Sequence, residues 1–244
     1  MTQEDLHSRK TGITAVLFDK DGTLLDFDAT WGPVYRQAAS IAARGEPADT
    51  ERFLLASGFD PATGKPAAGS LLAAGNTEEI AEAWIAVGAD FRLEDLTEKL
   101  DRLFVDRMHD SEPLPGIREA VDLLRARDYE LGVASSDSEA AIRAFLAGTG
   151  LESRFSFVTG YDTGHGPKPE PGMVHGFAEA IDHPASRIAV IGDNMHDIDM
   201  ARAAGAGLTI GVLTGTSLRQ DLEPHADVVL DSAADLPEFL FDPL

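Results

Sequence analysis

The segment 13-ITAVLFDKDGT-23 decides the fold of this 244-residue chain, because it joins a buried strand to a polar turn. Its first six residues, Ile13–Phe18, are apolar except Thr14 and rich in β-branched side chains, which predicts a strand buried on both faces. Asp19 and Asp21 follow at once, with Gly22 able to turn the backbone and Thr23 adding a hydroxyl. Ligands of open α/β sheets bind beyond the carboxyl ends of strands, so this turn is a candidate site. A strand followed by an ordinary Asp-Gly turn is the alternative.

Further short apolar runs alternate with segments of helical periodicity, which is typical of a parallel sheet covered by helices. The predicted strands are Ile13–Phe18, Glu130–Ala134, Phe155–Thr159, Arg187–Ile191, Leu208–Leu213 and Asp227–Leu230. The helices predicted between them are Gly116–Arg127, Ser138–Ala147, Pro171–Ile181 and His196–Ala204. The sequence therefore predicts an α/β fold, a Rossmann-like core with a mainly parallel sheet.

The stretch from Asp26 to Glu112 interrupts this alternation, because it contains helical segments and no convincing strand. Its predicted helices are Trp31–Arg44, Ala48–Ala56, Thr77–Val87 and Glu94–His109, with a loop rich in Gly, Pro and Ala at Gly58–Ser70. About 85 residues are far more than the dozen or so that a crossover between parallel strands needs. We therefore predict an all-helical second domain, residues 26–112, inserted into a core made of residues 1–25 and 113–244.

The composition limits the classes of function. The chain has no Cys, which excludes thiol catalysis, zinc-thiolate sites and disulfides. Its 20 Lys and Arg against 42 Asp and Glu leave a net charge of −22, which repels nucleic-acid phosphates and anionic lipid. Apolar runs are far shorter than the ~20 residues that span a bilayer, and the first residues lack the apolar segment of a signal peptide. We therefore expect a cytoplasmic protein that binds neither nucleic acid nor membranes, and the oligomeric state stays open.

Three more groups of polar residues follow predicted strands. Ser135 and Ser136 precede a helix, where hydroxyls and unpaired amides either hold a phosphoryl oxygen or simply cap the helix. Lys168 stands between the prolines of GPKPEP, which hold it in an extended segment or merely stiffen a surface loop. In GDNMHD, Asp193 ends a strand and Asp197 enters the next helix. Carboxylates of this kind suit magnesium, and a loop acid with a capping acid is the alternative.

These groups all follow strands whose carboxyl ends share one edge of a parallel sheet, so we expect them to meet. Acids packed together in this way repel one another and raise each other's pKa values unless a cation lies among them. A divalent ion together with Lys168 would supply that compensation and make a pocket for a phosphate group.

The four groups, taken in order, resemble the motifs of the haloacid dehalogenase-like hydrolases: DKDGT, the strand-end Ser135, KPEP and GDNMHDIDMARAAG. The helical insert resembles the cap of the subgroup that includes phosphoglycolate phosphatases and β-phosphoglucomutases. The resemblance extends from Ile13 to about Leu230 and implies a Mg²⁺-dependent phosphatase, a phosphoric monoester hydrolase acting on a small phosphorylated metabolite such as phosphoglycolate. A sugar-phosphate mutase with the same intermediate, and a non-catalytic binding module on this fold, are the alternatives.

The resemblance also implies a role for each motif residue. Asp19 is the nucleophile that becomes an aspartyl-phosphate, as carboxylate nucleophiles do. Asp21 protonates the departing alkoxide and then deprotonates the hydrolytic water; dehalogenases of the superfamily typically lack this second acid. Magnesium is expected at Asp19, Asp193 and the backbone carbonyl of Asp21, with Asp197 supporting that shell. Ser135 and Lys168 are expected to hold phosphoryl oxygens.

Three further residues are expected at the substrate. The hydroxyls of Thr23 and Ser136 lie within or beside the first two motifs. Lys65, in the Gly-Pro loop of the insert, would reach an anionic substrate when the cap closes, although a solvated surface cation is the alternative.

Some residues depart from the family pattern or lack a clear role in it. Lys20 stands between the two acids of DKDGT, where relatives usually carry an apolar residue. Alternation along an extended segment points its side chain away from both acids, so we predict a salt bridge behind the site rather than a catalytic role. His196, at a helix start, is predicted to face solvent. Trp31 and Trp84 are predicted to belong to the core of the cap.

Overall fold

Strands and helices alternate through most of the structure, a computed structural model that describes residues 3–241. The strands are β1 (Ala15–Phe18), β2 (Phe59–Asp60), β3 (Lys65–Pro66), β4 (Glu130–Ala134), β5 (Phe157–Thr159), β6 (Ile188–Gly192), β7 (Leu208–Val212) and β8 (Val228–Leu230). The helices are α1 (Gln3–Thr11), α2 (Phe27–Ala42), α3 (Pro47–Ala56), α4 (Leu71–Ala74), α5 (Thr77–Ala86), α6 (Leu93–Met108), α7 (Ile117–Arg125), α8 (Glu139–Gly148), α9 (Gly172–Ala180), α10 (Met195–Ala203), α11 (Arg219–Leu222) and α12 (Leu236–Phe241).

Six strands form one parallel sheet in the order β5-β4-β1-β6-β7-β8. Strand β1 lies in the middle, where Ala15 pairs with Glu130 of β4 on one side and Ile188 of β6 on the other. All six predicted strands are confirmed, with ends that differ by no more than two residues. The predicted fold class, an α/β Rossmann-like core with a mainly parallel sheet, is therefore confirmed.

Strand β1 is buried on both faces, since none of its four residues is more than 1% exposed. Val16 and Phe18 pack into one apolar cluster, which includes residues of α7, α8 and the insert. Ala15 and Leu17 pack into a second cluster, which includes residues of α9 and α10. Because helices cover both faces, the residues that can meet a ligand are those beyond the carboxyl end of the strand.

The insert leaves and rejoins the core at one place. Leu25 and Pro113 form an isolated antiparallel bridge, and the backbone N–H of Leu114 donates to the carbonyl of Leu24 at 2.8 Å. The entry and exit of the insert are therefore adjacent, which supports the proposed division into a core and an inserted domain of residues 26–112.

The insert is helical except for one short pair of strands, which corrects the prediction that it is all-helical. The predicted loop of residues 58–70 contains β2 and β3, paired antiparallel, and the short helix α4 follows it. Asp60 accepts a hydrogen bond from the backbone N–H of Ala62 at 2.8 Å, and Gly64 adopts a φ of 75°. Both features favour a tight turn. Two-residue strands are too short to show alternation, so the sequence pattern could not reveal them.

Helix α2 begins at Phe27, four residues before the predicted start at Trp31. The side chain of Asp26 caps it by accepting a hydrogen bond from the backbone N–H of Ala29 at 3.0 Å. Four of the described helices have no counterpart among the predicted elements: α1, α4, α11 and α12. Within residues 3–241, no helix has both the length and the apolar character needed to cross a bilayer.

Candidate active site

Three carboxylates and one lysine meet at the carboxyl ends of β1 and β6. Asp19 follows β1, Asp193 follows β6, Asp197 lies in the first turn of α10, and the loop before α9 supplies Lys168. One carboxylate oxygen from each acid lies within 4.8 Å of those of the other two, and all four residues are buried. Residues far apart in the sequence form one charged cluster because β1 and β6 are neighbours in the sheet.

The ammonium group of Lys168 bridges two of these acids. Its Nζ donates to Oδ1 of Asp19 at 2.6 Å and to Oδ1 of Asp197 at 2.5 Å. Burial lowers the pKa of Lys168, but the two carboxylates raise it by more, so the net pKa lies above its ordinary value. Lys168 therefore stays charged, and among residues 3–241 it is the one cation in contact with a cluster of three acids that would otherwise all be ionised.

Asp193 and Asp197 are oriented by backbone N–H groups of loops. The backbone N–H of Thr216 donates to Oδ2 of Asp193 at 2.7 Å, and that of Asn194 donates to Oδ2 of Asp197 at 3.1 Å. Gly22 has a φ of 81°, and a Cβ there would lie 2.8 Å from Cγ of Asp193. The glycine of the first motif therefore lets the turn after β1 approach the acid after β6.

The negative charge of this cluster lacks full compensation. Burial raises the pKa of Asp19 to about 7; Lys168 opposes this rise, while Asp197 and Asp21 add to it. Burial and the neighbouring carboxylates likewise raise the pKa of Asp193 well above its ordinary value. Oδ2 of Asp19 is buried and has no hydrogen-bond partner in the part of the chain that the structure describes. Oxygen ligands with uncompensated charge suit Mg²⁺, so these residues fit such an ion.

Asp21 is surrounded by donors, and one of them overturns a prediction. Nζ of Lys20 lies 2.7 Å from Oδ1 and 2.6 Å from Oδ2 of Asp21. The prediction that Lys20 points away from Asp21 is therefore wrong, although the predicted salt bridge exists. Alternation fails here because β1 ends at Phe18 and the backbone then turns: the N–H groups of Leu24 and Leu25 both donate to the carbonyl of Lys20.

The loop after β4 brings Ser135, Ser136 and Asp137 to the same place. Oγ of Ser135 lies 3.5 Å from Oδ2 of Asp21 and accepts a hydrogen bond from the backbone N–H of Asp137 at 3.1 Å. Ser136 donates to the carbonyl of Ala74 in the insert at 3.1 Å. Asp137 forms an ion pair with Lys20 at 3.0 Å, a partnership that the sequence pattern did not reveal.

Asp137 also carries a perturbed pKa. Burial raises it to about 6; Lys20 opposes this rise, and Asp21 adds to it. Helix α8 is capped instead by Ser138, whose side chain accepts from the backbone N–H of Ala141 at 3.4 Å. The carboxylate of Asp137 is therefore left to face Lys20 rather than the helix.

In the absence of metal, the protein should lose thermal stability as the pH rises from about 5 to 8. A carboxyl group whose pKa is raised by folding contributes stability that is complete below its unfolded pKa and is lost as the pH rises through its folded pKa. The folded pKa values of Asp19 and Asp137, about 7 and about 6, lie in this window, above the ordinary value of 3.8. In EDTA, we expect the midpoint temperature of thermal unfolding to fall as the pH rises from about 5 to 8. Mg²⁺ should raise that midpoint more at pH 8 than at pH 5. A midpoint in EDTA that rises with pH would contradict this.

A cavity of about 50 Å³ lies between these residues and the insert. The core supplies its charged side chains, and the insert supplies mainly apolar and aromatic ones: Phe27, Trp31, Tyr35, Leu72, Ile80 and Phe104. Trp31 is 3% exposed and stacks on Tyr35, with ring centroids 5.2 Å apart. It packs within the insert as predicted and also lines the cavity.

The surroundings of three other side chains bear on their expected roles. Thr23, expected at the substrate, is fully buried outside the cavity lining, and its hydroxyl has no partner among the described residues. Lys65 is half exposed and pairs with Asp28, also away from the cavity. His196, predicted to face solvent, is half-buried and lines the cavity.

Comparison with known proteins identifies relatives along most of the chain. A sequence model described as haloacid dehalogenase-like hydrolase matches residues 13–205. A Dickeya dadantii protein named "Probable phosphatase IndB" is 31% identical over 225 residues, which cover 91% of this chain and 90% of that protein. A phosphoglycolate phosphatase of Photorhabdus laumondii is 27% identical over 92% of this chain and 91% of its own length.

Solved structures share the fold over nearly the whole chain. A hydrolase from Pseudomonas syringae superposes with a TM-score of 0.69 at 22% identity, covering 93% of this chain and 97% of its own. CbbY from Rhodobacter sphaeroides, solved in complex with phosphate, superposes with a TM-score of 0.66 at 21% identity, covering 92% of this chain and 96% of its own. At these identities, the likeness concerns the fold alone.

Proposed function

Because this chain belongs to the haloacid dehalogenase-like hydrolase family and is a phosphoric monoester hydrolase, we propose that it uses Mg²⁺ to hydrolyse a small phosphorylated metabolite through an aspartyl-phosphate. The observation that carries the proposal is the buried cluster of Asp19, Asp193 and Asp197, which encloses a single lysine. Such a cluster needs a further cation, and a phosphate ester needs one as well.

The two oxygens of Asp19 differ in a way that supports its proposed role as nucleophile. Lys168 holds Oδ1, whereas Oδ2 is free of hydrogen bonds from the described residues. In the proposed first step, Oδ2 attacks phosphorus and the bond from phosphorus to the alcohol oxygen breaks. The Asp19 carboxylate then carries the phosphoryl group as a mixed anhydride.

Asp21 would move the protons of both steps. It gives a proton to the departing alcohol oxygen and then takes one from the water that attacks the phosphorus of the anhydride, which releases phosphate and restores Asp19. Lys168 and Ser135 would hold phosphoryl oxygens, since electrostatic and positioning effects dominate phosphoryl transfer. Mg²⁺, held by Asp19, Asp193 and the carbonyl of Asp21 with support from Asp197, would supply positive charge for the phosphoryl oxygens.

The choice of substrate rests on the relatives and on the cavity. Relatives named phosphoglycolate phosphatase make phosphoglycolate the first candidate. The cavity is small, and the insert lines it largely with apolar and aromatic side chains. Phosphomonoesters of similar size whose alcohol part carries no charge therefore belong beside phosphoglycolate in any test.

A panel of small phosphomonoesters, assayed for free phosphate with Mg²⁺ present, tests the proposed function. We expect one small ester, phosphoglycolate first among them, to be hydrolysed well above the rest. Interconversion of sugar-phosphate isomers without net phosphate release, dependent on a bisphosphate, would instead indicate the mutase. Binding of esters without turnover of any would indicate a non-catalytic module.

A further inference from the structure

Lys20 is a buried cation to which the proposed reaction assigns no role. Its side chain is 0% exposed, and its Nζ contacts Asp21, Asp137 at 3.0 Å and the sulfur of Met108 at 3.4 Å. A buried ammonium group is costly unless its charge and its three N–H donors find partners. Because both oxygens of Asp21 lie within 2.7 Å of Nζ, the position of that carboxylate depends on Lys20.

A second donor reaches Asp21 from the insert. Nε1 of Trp31, in α2, donates to Oδ1 of Asp21 at 2.6 Å. The indole is itself held by stacking on Tyr35 and by an edge contact with Phe104, whose centroid is 5.0 Å away. A hydrogen bond to a carboxylate from so constrained a donor fixes the direction of the acceptor as well as its place.

The donors divide the two oxygens of Asp21 unequally. Oδ1 accepts from both Lys20 and Trp31, whereas Oδ2 lies next to Lys20 and 3.5 Å from the hydroxyl of Ser135. Oδ2 is therefore the oxygen on the side of the residue expected to hold the phosphoryl group. Its second donor, the hydroxyl of Ser135 at 3.5 Å, is also farther away than the indole nitrogen at Oδ1, so Oδ2 keeps more capacity to hydrogen-bond a substrate oxygen.

We propose that Lys20 and Trp31 are positioning residues for Asp21: Lys20 holds the carboxylate through both oxygens, and Trp31 fixes Oδ1, which directs Oδ2 at the leaving-group oxygen. Since Trp31 belongs to the insert and Lys20 to the core, the full set of donors exists only while the insert covers the core as it does here. The proposal rests on the proposed function, in which Asp21 protonates the departing alcohol.

The dependence of the rate on the leaving group tests this proposal. Ethoxide cannot leave without a proton, whereas p-nitrophenolate can, so only ethyl phosphate requires a well-placed Asp21. For Lys20→Met, we expect kcat/KM to fall about 100-fold with ethyl phosphate but by less than about threefold with p-nitrophenyl phosphate. The parameter kcat/KM is the right one, because it reports the steps up to departure of the leaving group and not the later hydrolysis.

Trp31→Phe provides a second variant that keeps an aromatic ring in the stack and removes only the N–H donor. Like Lys20→Met, it should lower kcat/KM selectively for ethyl phosphate, but by a smaller factor, about 10-fold. Trp84→Phe is its matched control, because Trp84 is also fully buried in the insert and donates its indole N–H, in this case to Ser57. Lys99→Met, at an exposed position of α6, is the control for Lys20→Met. Both controls should leave the ratio of the two esters unchanged.

The outcomes separate this proposal from the proposed function. If the wild-type protein hydrolyses neither of these esters nor any ester of the phosphomonoester panel, the proposed function and this inference both fail. If the wild-type protein is active but Lys20→Met and Trp31→Phe lower kcat/KM equally for both esters, the two residues are only structural and this inference alone fails. Should Lys20→Met not fold, Trp31→Phe decides the question by the same ratio. In an Asp21→Asn background, adding Trp31→Phe should change that ratio no further, since the acid is already absent.

Discussion

Replacing Asp19 with asparagine should lower phosphate release from p-nitrophenyl phosphate by roughly 10⁴-fold or more, the scale seen when an enzyme loses its nucleophile. The amide cannot form the mixed anhydride, and its uncharged oxygen is a far weaker nucleophile than a carboxylate. The measurement is steady-state release of phosphate at saturating Mg²⁺, with the Asp19→Asn protein at high concentration so that a small residual rate is visible.

The folded state should survive this substitution. Burial raises the pKa of Asp19 to about 7, so the site disfavours a charged group there and should accept an uncharged one of the same shape. We therefore expect the metal-free variant to unfold at or above the wild-type temperature. Asp199→Asn, at an exposed position of α10, serves as the control and should keep full activity. An Asp19→Asn protein that retains a tenth of wild-type turnover would remove Asp19 from its role.

The second large effect should come from removing the metal. In EDTA, turnover should fall by roughly 10³-fold or more. The phosphoryl group would then approach three buried acids among which the described residues place one lysine and no other cation. Addition of Mg²⁺ in excess of the chelator should restore the rate. The assay is phosphate release followed through successive additions of EDTA and Mg²⁺ to one sample.

Asp193→Asn adds a test of where the ion binds. Asp193 lies within reach of the same ion as Asp19, so its loss should raise the Mg²⁺ concentration needed for half-maximal activity. The Asp199→Asn protein should show the wild-type requirement. Turnover that is complete in EDTA would reject the metal site, and an unchanged Mg²⁺ requirement in Asp193→Asn would move it away from this acid.

The central features of the fold could be predicted because they depend on local patterns. The strands of the large sheet are short, mainly apolar runs, and burial on both faces makes the runs of its four inner strands continuous rather than alternating. Asp19, Asp193 and Lys168 could be placed in one site for a related reason, since the carboxyl ends of parallel strands lie at one edge of a sheet. Features without a pattern, such as the two-residue strands β2 and β3, could not be predicted.

The contacts of Asp21 are a different case, because they depend on how distant segments pack. The residues next to Trp31 in the sequence do not indicate that its indole reaches Asp21. Those next to Asp137 likewise do not indicate an ion pair with Lys20. Lys65 and Thr23 show the converse: both were plausible substrate ligands by position in the chain, and packing places them outside the cavity.

By itself, the sequence determined the class of fold, the order of its motifs and the carboxylates that follow the central strands, since strand and turn preferences act over a few neighbouring residues. Only the tertiary structure decided which groups surround Asp21. The identity of these groups depends on the turn after β1 and on how α2 and α6 pack against the core. Side-chain contacts between segments tens of residues apart are set by packing, which no local pattern encodes.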